Sequence, residues 1–364
     1  MGGIVIHLKQ YAINLINKYT KMKVAILTDM HWLYKKNSQI YFKYFMKFYS
    51  NIFFPYLEEH NITTIIDLGD TTDDRKNLDI FGISQMKTNF YDKLKEYTMH
   101  MLVGNHQTYY KNTNDINTPS VILKEYNNIT IYPEITTINI DGRPIDLIPW
   151  INPENFDSVQ QYIQKSTSEI ALAHLEVNGA TMVPGILCTH GTDPIIFSKY
   201  SKVLSGHLHF RHQYNNIFYI GNISQLHRGD EGATRGFAVL DTETLAVEYI
   251  NNPYKLFKSI VYDDSITDYA EVSVEEYRET YVKIYVENAS DVVTYDIFLS
   301  KLYEVSHDVK IIEKSTNIHT TGISIDVENT NTIDLFSEYL DTMNITNTDE
   351  MKSIIHQIYT EATL

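Results

Sequence analysis

Val24-Ala25-Ile26-Leu27-Thr28-Asp29-Met30-His31 is a short apolar run that stops on an acid and a histidine. Four consecutive aliphatic residues bounded by polar ones are strand length, and too short for a helix. The same form recurs downstream. Thr64–Leu68 leads into Gly69-Asp70, Met99–Val103 into Gly104-Asn105-His106, Ile170–Ala173 into His174, and Val203–Ser205 into Gly206-His207-Leu208-His209. Ile145–Ile148 is a further run of this kind. Between the runs lie amphipathic stretches of helical length at 39–59, 78–96, 120–126 and 156–165. Strands alternating with helices predict a layered α/β core.

The later runs Phe218–Ile220, Gly236–Asp241 and Val247–Ile250 have no long helices between them. They are expected to be antiparallel strands of a second sheet. Asn251–Asp268, with Pro253 and many polar residues, reads as a linker. Beyond it Tyr281–Val286, Val292–Val305 and Val309–Glu313 predict a strand, a helix and a strand. Two amphipathic helices, 332–343 and 350–361, close the chain. The expected organisation is an N-terminal extension (1–21), a main domain (22–262), a small βαβ cap (263–330) and C-terminal helices (331–364).

The chemistry concentrates at the strand ends. In open α/β sheets functional groups meet at the carboxyl ends of strands, so these separated motifs can share one crevice. A mixed set of carboxylate, amide and imidazole donors suits Mn, Fe or Zn better than Mg or Ca. Two metals about 3.5–4 Å apart need a bridging ligand, and a carboxylate has two oxygens for the purpose. Asp70, following a glycine, is the expected bridge. Asp29, His31 and His209 complete one metal; Asn105, His174 and His207 complete the other. His106 is left free as the general acid, with Asp73 steadying its ring. Each motif alone has a plainer reading: a capping Asp, a Gly-Asn turn, a satisfied core histidine. Their joint order at successive strand ends argues for the metals. His190, in Thr189-His190-Gly191, and His212 fall near these motifs without ligand context of their own.

Bulk composition narrows the class. A hydrophobic share of 43% and a charged share of 21% describe an ordinary globular chain. The formal net charge of −16 argues against a passive nucleic-acid-binding module. Cys188 is the single cysteine, which excludes an internal disulfide and a zinc cage built from cysteines, and points to a reducing compartment such as the cytoplasm. No run reaches the length of a membrane span, so no membrane partner is expected. No phosphate-cradling GxxxxGK[ST] motif occurs, so any ATP hydrolysis must come from a partner.

The order D-x-H, G-D-x-x-D, G-N-H, H and G-H-x-H resembles the calcineurin-like metallophosphoesterase superfamily. Within it the chain is similar to the SbcD-type nuclease subunit of double-strand-break repair, in its phage-encoded form. The stretches 69–76, Ile145-Asp146-Leu147-Ile148-Pro149-Trp150, His174-Leu175-Glu176-Val177-Asn178-Gly179, Tyr219-Ile220-Gly221-Asn222 and Arg235-Gly236-Phe237 add to the likeness. The resemblance implies a four-layer sandwich of two mixed sheets flanked by helices, with the ligand and acid roles named above. It implies manganese-dependent 3′-to-5′ exonuclease action on duplex DNA and endonuclease action on single-stranded or hairpin DNA. It also implies a homodimer through helices at about 39–59 and 78–96, and an SMC-like ABC ATPase bound by the C-terminal helices. One departure stands out: Gln107 occupies the place after G-N-H where that family usually carries an acid. Rival readings are another di-metal phosphodiesterase or phosphatase, and a DNA-end scaffold with little catalysis.

Overall fold

The computed structural model describes residues 23–313 and 351–352. Two six-stranded sheets form its centre. The first has the order β14-β13-β1-β2-β3-β4. Its strands are β1 (Lys23–Leu27), β2 (Thr64–Asp67), β3 (Thr98–Leu102), β4 (Ile129–Tyr132), β13 (Gly236–Asp241) and β14 (Val247–Asn251). The second has the order β11-β12-β10-β7-β6-β5. Its strands are β5 (Thr136–Ile140), β6 (Arg143–Ile148), β7 (Ile170–His174), β10 (Lys202–Gly206), β11 (His212–Tyr214) and β12 (Ile217–Tyr219). A small hairpin, β8 (Thr181–Val183) and β9 (Ile186–Leu187), follows β7.

Strand alternation builds the layers. Val24 and Ile26 of β1 point toward the second sheet, where they meet Ile145, Leu147, Ile170, Leu172 and Leu204 in one buried core. Ala25 and Leu27 point the other way, into an aromatic-rich core under the helices. Ala171 and Ala173 of β7 face a third core with Val159 and Ile163. The result is helix, sheet, sheet, helix, the sandwich that the resemblance implied. Both faces of the central strands are covered, which is why they read as unbroken apolar runs.

The helices are α1 (Gln39–Phe48), α2 (Phe54–Glu59), α3 (Ile80–Asn89), α4 (Thr118–Ile122) and α5 (Phe156–Lys165). The expected helix over 39–59 is real, but passes through a π turn at Tyr49–Phe53 just before Pro55, which has no N–H to give the ladder. Tyr41, Phe45, Phe48 and Tyr49 are all buried against the sheet, with Trp32 stacked on Tyr49 at 5.2 Å. The helix expected over 78–96 ends at Asn89 and gives way to a 3-10 turn at Tyr91–Leu94.

Two expectations are corrected. β13 and β14 are antiparallel neighbours, but they extend the first sheet beside β1, while β12 joins the second sheet parallel to β10. Local patterning cannot report which sheet a strand joins. The segment expected to be a linker contains β15 (Phe257–Asp263), which pairs in parallel with β16 (Tyr281–Asn288). The adjacent polar pair Lys258-Ser259 breaks its apolar pattern, which disguised it. With α6 (Val292–Val305) and β17 (Asp308–Glu313) these strands form a three-stranded unit of order β15-β16-β17. The small sheet thus takes its first strand from before residue 263. The 1–21 extension and the C-terminal helices lie outside the described residues, apart from residues 351–352.

Candidate metal centre

Because β1, β2 and β3 run parallel in one sheet and β7 and β10 run parallel in the other, their carboxyl ends open on one side. The five motifs meet there. Asp29, His31 and His209 bring one ligand atom each within 4.8 Å of one another; Asp70, His174 and His207 do the same. Asn105 Oδ1 lies 3.0 Å from His174 Nε2 and 2.9 Å from His207 Nδ1, which adds it to the second group.

The backbone is strained where it turns these groups inward. Asp29, His31, Asp70 and His207 all have positive φ, at 49°, 45°, 53° and 81°. Non-glycine residues in this region cost on the order of 1 kcal/mol or more each. Close backbone approach needs Gly104 as well, since a Cβ there would sit 2.2 Å from Asp70 Oδ1.

Hydrogen bonds fix which ring nitrogen is available. His174 Nδ1 donates to the Leu68 carbonyl at 2.9 Å, so Nε2 is the atom turned toward Asn105 and Asp70. His31 Nδ1 lies 3.2 Å from Asp73 Oδ1, so its Nε2 is the inward atom. That Nε2 faces His209 Nε2 at 3.0 Å. Two ring nitrogens in contact can share only one hydrogen, an arrangement suited to a cation between them. Asp29 accepts from the His207 N–H through both oxygens, at 3.2 and 3.1 Å, and from Thr28 Oγ1 at 2.6 Å.

Charge is balanced in pairs. Burial opposes ionisation of Asp70, but His174, His106 and His31 outweigh it and hold the carboxyl well below its usual range. Burial likewise disfavours a charged His174, and Asp70 overrides this, raising it to about 9. His209 is pushed well down, first by burial and then by the neighbouring His31, Arg235 and His106 charges.

His106 stands beside the ligand groups, its ring edge-on to His31 with centroids 4.9 Å apart. Its Nδ1 is 2.8 Å from the backbone carbonyl of Asp73. The expected role of Asp73 is therefore corrected: its carboxylate serves His31, and only its main chain holds His106. The reason is loop pairing. Asp73 N bonds to Trp32 O, and Trp32 bridges Thr72, which lays the Asp73 side chain along His31.

Gln107 is fully buried, and its Oε1 accepts from both Gly104 N (2.6 Å) and Asp70 N (3.0 Å). It pins the two loops that carry Asn105 and Asp70, and needs no charge to do so. Its Nε2 is left without a partner.

Sequence reading missed two supports. Arg235 is buried, pairs with Asp230 at 2.6 Å and donates to the carbonyl of His209, fixing that loop. Glu176 places Oε1 3.4 Å from His207 Nε2. Both lay in stretches already quoted, but nothing local told which contact they would make. Trp150 walls the crevice, 5.1 Å from the His207 ring. His212 is structural: its Nδ1 donates to Phe210 O, its Nε2 accepts from Thr181 N, and its ring stacks on Tyr219. Arg228 commits its guanidinium to Glu231 and the carbonyls of Lys258 and Tyr281.

Comparison with known proteins agrees with the geometry. A family described as calcineurin-like phosphoesterase matches residues 22–211. The chain is 31% identical over 317 residues to exonuclease subunit 1 of Enterobacteria phage T4, covering 85% of this chain and 90% of that protein. Among solved structures, one described as a novel archaeal phosphodiesterase shares 12% identity and covers 64% of this chain and 100% of its own. Its TM-score of 0.32 is too low to say anything of this chain.

Proposed function

We propose that this chain, which belongs to the calcineurin-like phosphoesterase family, is a DNA nuclease that works with two divalent metals held at its strand ends. The convergence of two ligand groups with His106 beside them carries this reading. Asp29, His31 and His209 would hold one metal, Asn105, His174 and His207 the other, and Asp70 would serve both. The donor set of carboxylate, amide and imidazole suits manganese, iron or zinc, and we assign manganese on the resemblance.

Bound there, the metal pair supplies an activated water and positive charge at the phosphoryl oxygens. The chain's own residues do the rest. The Asp73 carbonyl can only accept, so His106 Nδ1 carries a hydrogen and Nε2 is free for the substrate. As the water oxygen bonds to phosphorus, the bond to the leaving sugar oxygen breaks, and protonated His106 gives that oxygen its proton from Nε2. Asp73 and the Leu68 carbonyl keep the His31 and His174 rings turned inward. Exposed Lys35, Lys36, Lys76 and Lys111 are suited to phosphate contacts on an otherwise acidic surface.

The relative from phage T4 is named an exonuclease subunit. That wording favours DNA as substrate, and a larger assembly. We assign 3′-to-5′ exonuclease action on duplex ends and endonuclease action on single strands or hairpins. The partner in this reading is an SMC-like ATPase, recruited by the segment after about residue 330. The setting is the cytoplasm of a phage-infected cell; no helix among the described residues is long and apolar enough to cross a membrane. For the homodimer, support comes from α3, which exposes Ile80 and Phe81 at 83% and 62%. The helix over 39–59 buries most of its aromatics, with Phe42 and Tyr56 half-buried, and turns Lys43, Lys47, Ser50 and Asn51 outward.

Incubation with manganese and end-labelled duplex, single-stranded and hairpin DNA tests the activity. Stepwise release of nucleotides is expected. Cleavage of small phosphodiesters alone would sink the nuclease reading.

A further inference from the structure

Cys188, the only cysteine in the chain, is buried in the core that also holds Val177, Ala180 and Tyr219, with His190 and Glu176 beside it. Its Sγ is 3.6 Å from His190 Nδ1, and that nitrogen is 3.3 Å from Glu176 Oε2. The three ligand atoms all fall within 4.8 Å of one another. In a tetrahedral zinc site, with bonds of about 2.3 Å to sulfur and about 2.0–2.1 Å to nitrogen and oxygen, neighbouring ligand atoms are separated by about 3.6 Å (S to N) and about 3.3–3.4 Å (N to O). The two observed separations match.

The backbone holds this arrangement together with the Cys188 thiol, which donates to the His190 carbonyl at 3.0 Å and would give up that proton to a metal. Thr192 N bonds to Glu176 O at 2.9 Å, Asn178 N to Thr192 O at 3.1 Å, and Gly179 N to Cys188 O at 2.7 Å. Gly191, at φ +92°, lets the loop approach, since a Cβ there would lie 2.6 Å from Glu176 O. His207, 5% exposed, turns its Nε2 toward the other oxygen of the same carboxylate, Oε1, at 3.4 Å, which leaves Oε2 to His190. His190 is the exposed member, which leaves an entry path and room for water in a fourth position.

We propose that Cys188 Sγ, His190 Nδ1 and Glu176 Oε2 bind a third divalent cation of the zinc class, separate from the metal pair. A thiolate with imidazole and carboxylate selects a borderline-soft ion over magnesium or manganese. Binding releases the thiol proton to solvent. The ion clamps the 185–192 loop to the end of β7, and leaves Glu176 Oε1 facing His207.

Cobalt(II) is the probe, because a cobalt–thiolate bond gives a near-ultraviolet charge-transfer band that nitrogen and oxygen ligands do not. With one cysteine in the chain, such a band can come only from Cys188. The full-length protein titrated with cobalt should show it. Cys188→Ser should abolish it, and His190→Ala should weaken it, each with one fewer bound ion per chain by elemental analysis after dialysis. His190 is exposed, so its removal spares the fold. Asp70→Asn, which disrupts the metal pair, should leave the sulfur band in place, so the two sites fail separately. A cobalt-loaded protein with no thiolate band, or a Cys188→Ser variant that keeps the same ion count, would overturn the proposal.

Discussion

At the strand ends, Asp29, His31, Asp70 and His207 all sit at positive φ and crowd charged or polar groups out of water. In the three-stranded unit of β15, β16, α6 and β17, Glu279 is the one non-glycine residue at positive φ among those described. Its interior is Tyr262, Tyr269, Val282, Ile284, Phe298 and Leu302, with ring pairs such as Tyr262 on Tyr269 at 4.0 Å. One region spends stability to aim ligands; the other only packs. The difference teaches where a substitution should register. Change at the crevice should alter chemistry and metal affinity with little loss of fold, and change in the small unit should do the reverse.

The largest test of that contrast is His106→Ala. Cleavage should fall roughly 100- to 10,000-fold, the usual worth of a general acid. Metal content and melting temperature should hardly move. A variant that cleaves DNA at the parent rate would remove His106 from the reaction. The mirror test is Phe298→Ala, which empties a fully buried ring site. It should cost about 3–5 kcal/mol in denaturant unfolding, while the folded fraction keeps its bound metals and its cleavage rate.

Gln107→Met crosses the boundary between the regions. It takes the shared acceptor from Gly104 N and Asp70 N. Each stranded donor costs about 1–3 kcal/mol, so this crevice residue should behave like a core residue in a melting experiment. An unchanged melt would mean that water replaces the amide oxygen. The smallest effect is expected for Asp73→Ala, which leaves His31 without its orienting carboxylate. Metal affinity, read by titration calorimetry, should weaken roughly 10- to 100-fold, with His106 still held by the main-chain carbonyl.

Much of the fold was legible. Val24–Leu27, Ile170–Ala173 and Val203–Ser205 are strands because buried parallel strands must be apolar on both faces, and Phe156–Lys165 is a helix with the bounds its pattern predicts. β15 was hidden because Lys258 and Ser259 interrupt its apolar alternation. The membership of β13 and β14 in the first sheet was hidden because pairing is a long-range choice.

The sequence by itself determined the kinds of donor atom gathered at the strand ends. Residue types and their order at strand ends set which atoms are on offer, since a strand's end and its side-chain alternation are local properties. Only the tertiary structure decided the pairings. Asp73 turned to His31 rather than His106, Gln107 took two backbone donors in place of a charge, and Glu176 came to stand between His207 and His190. Those contacts join residues from different loops, and their geometry follows from how two twisted sheets stack, which no single stretch of chain encodes.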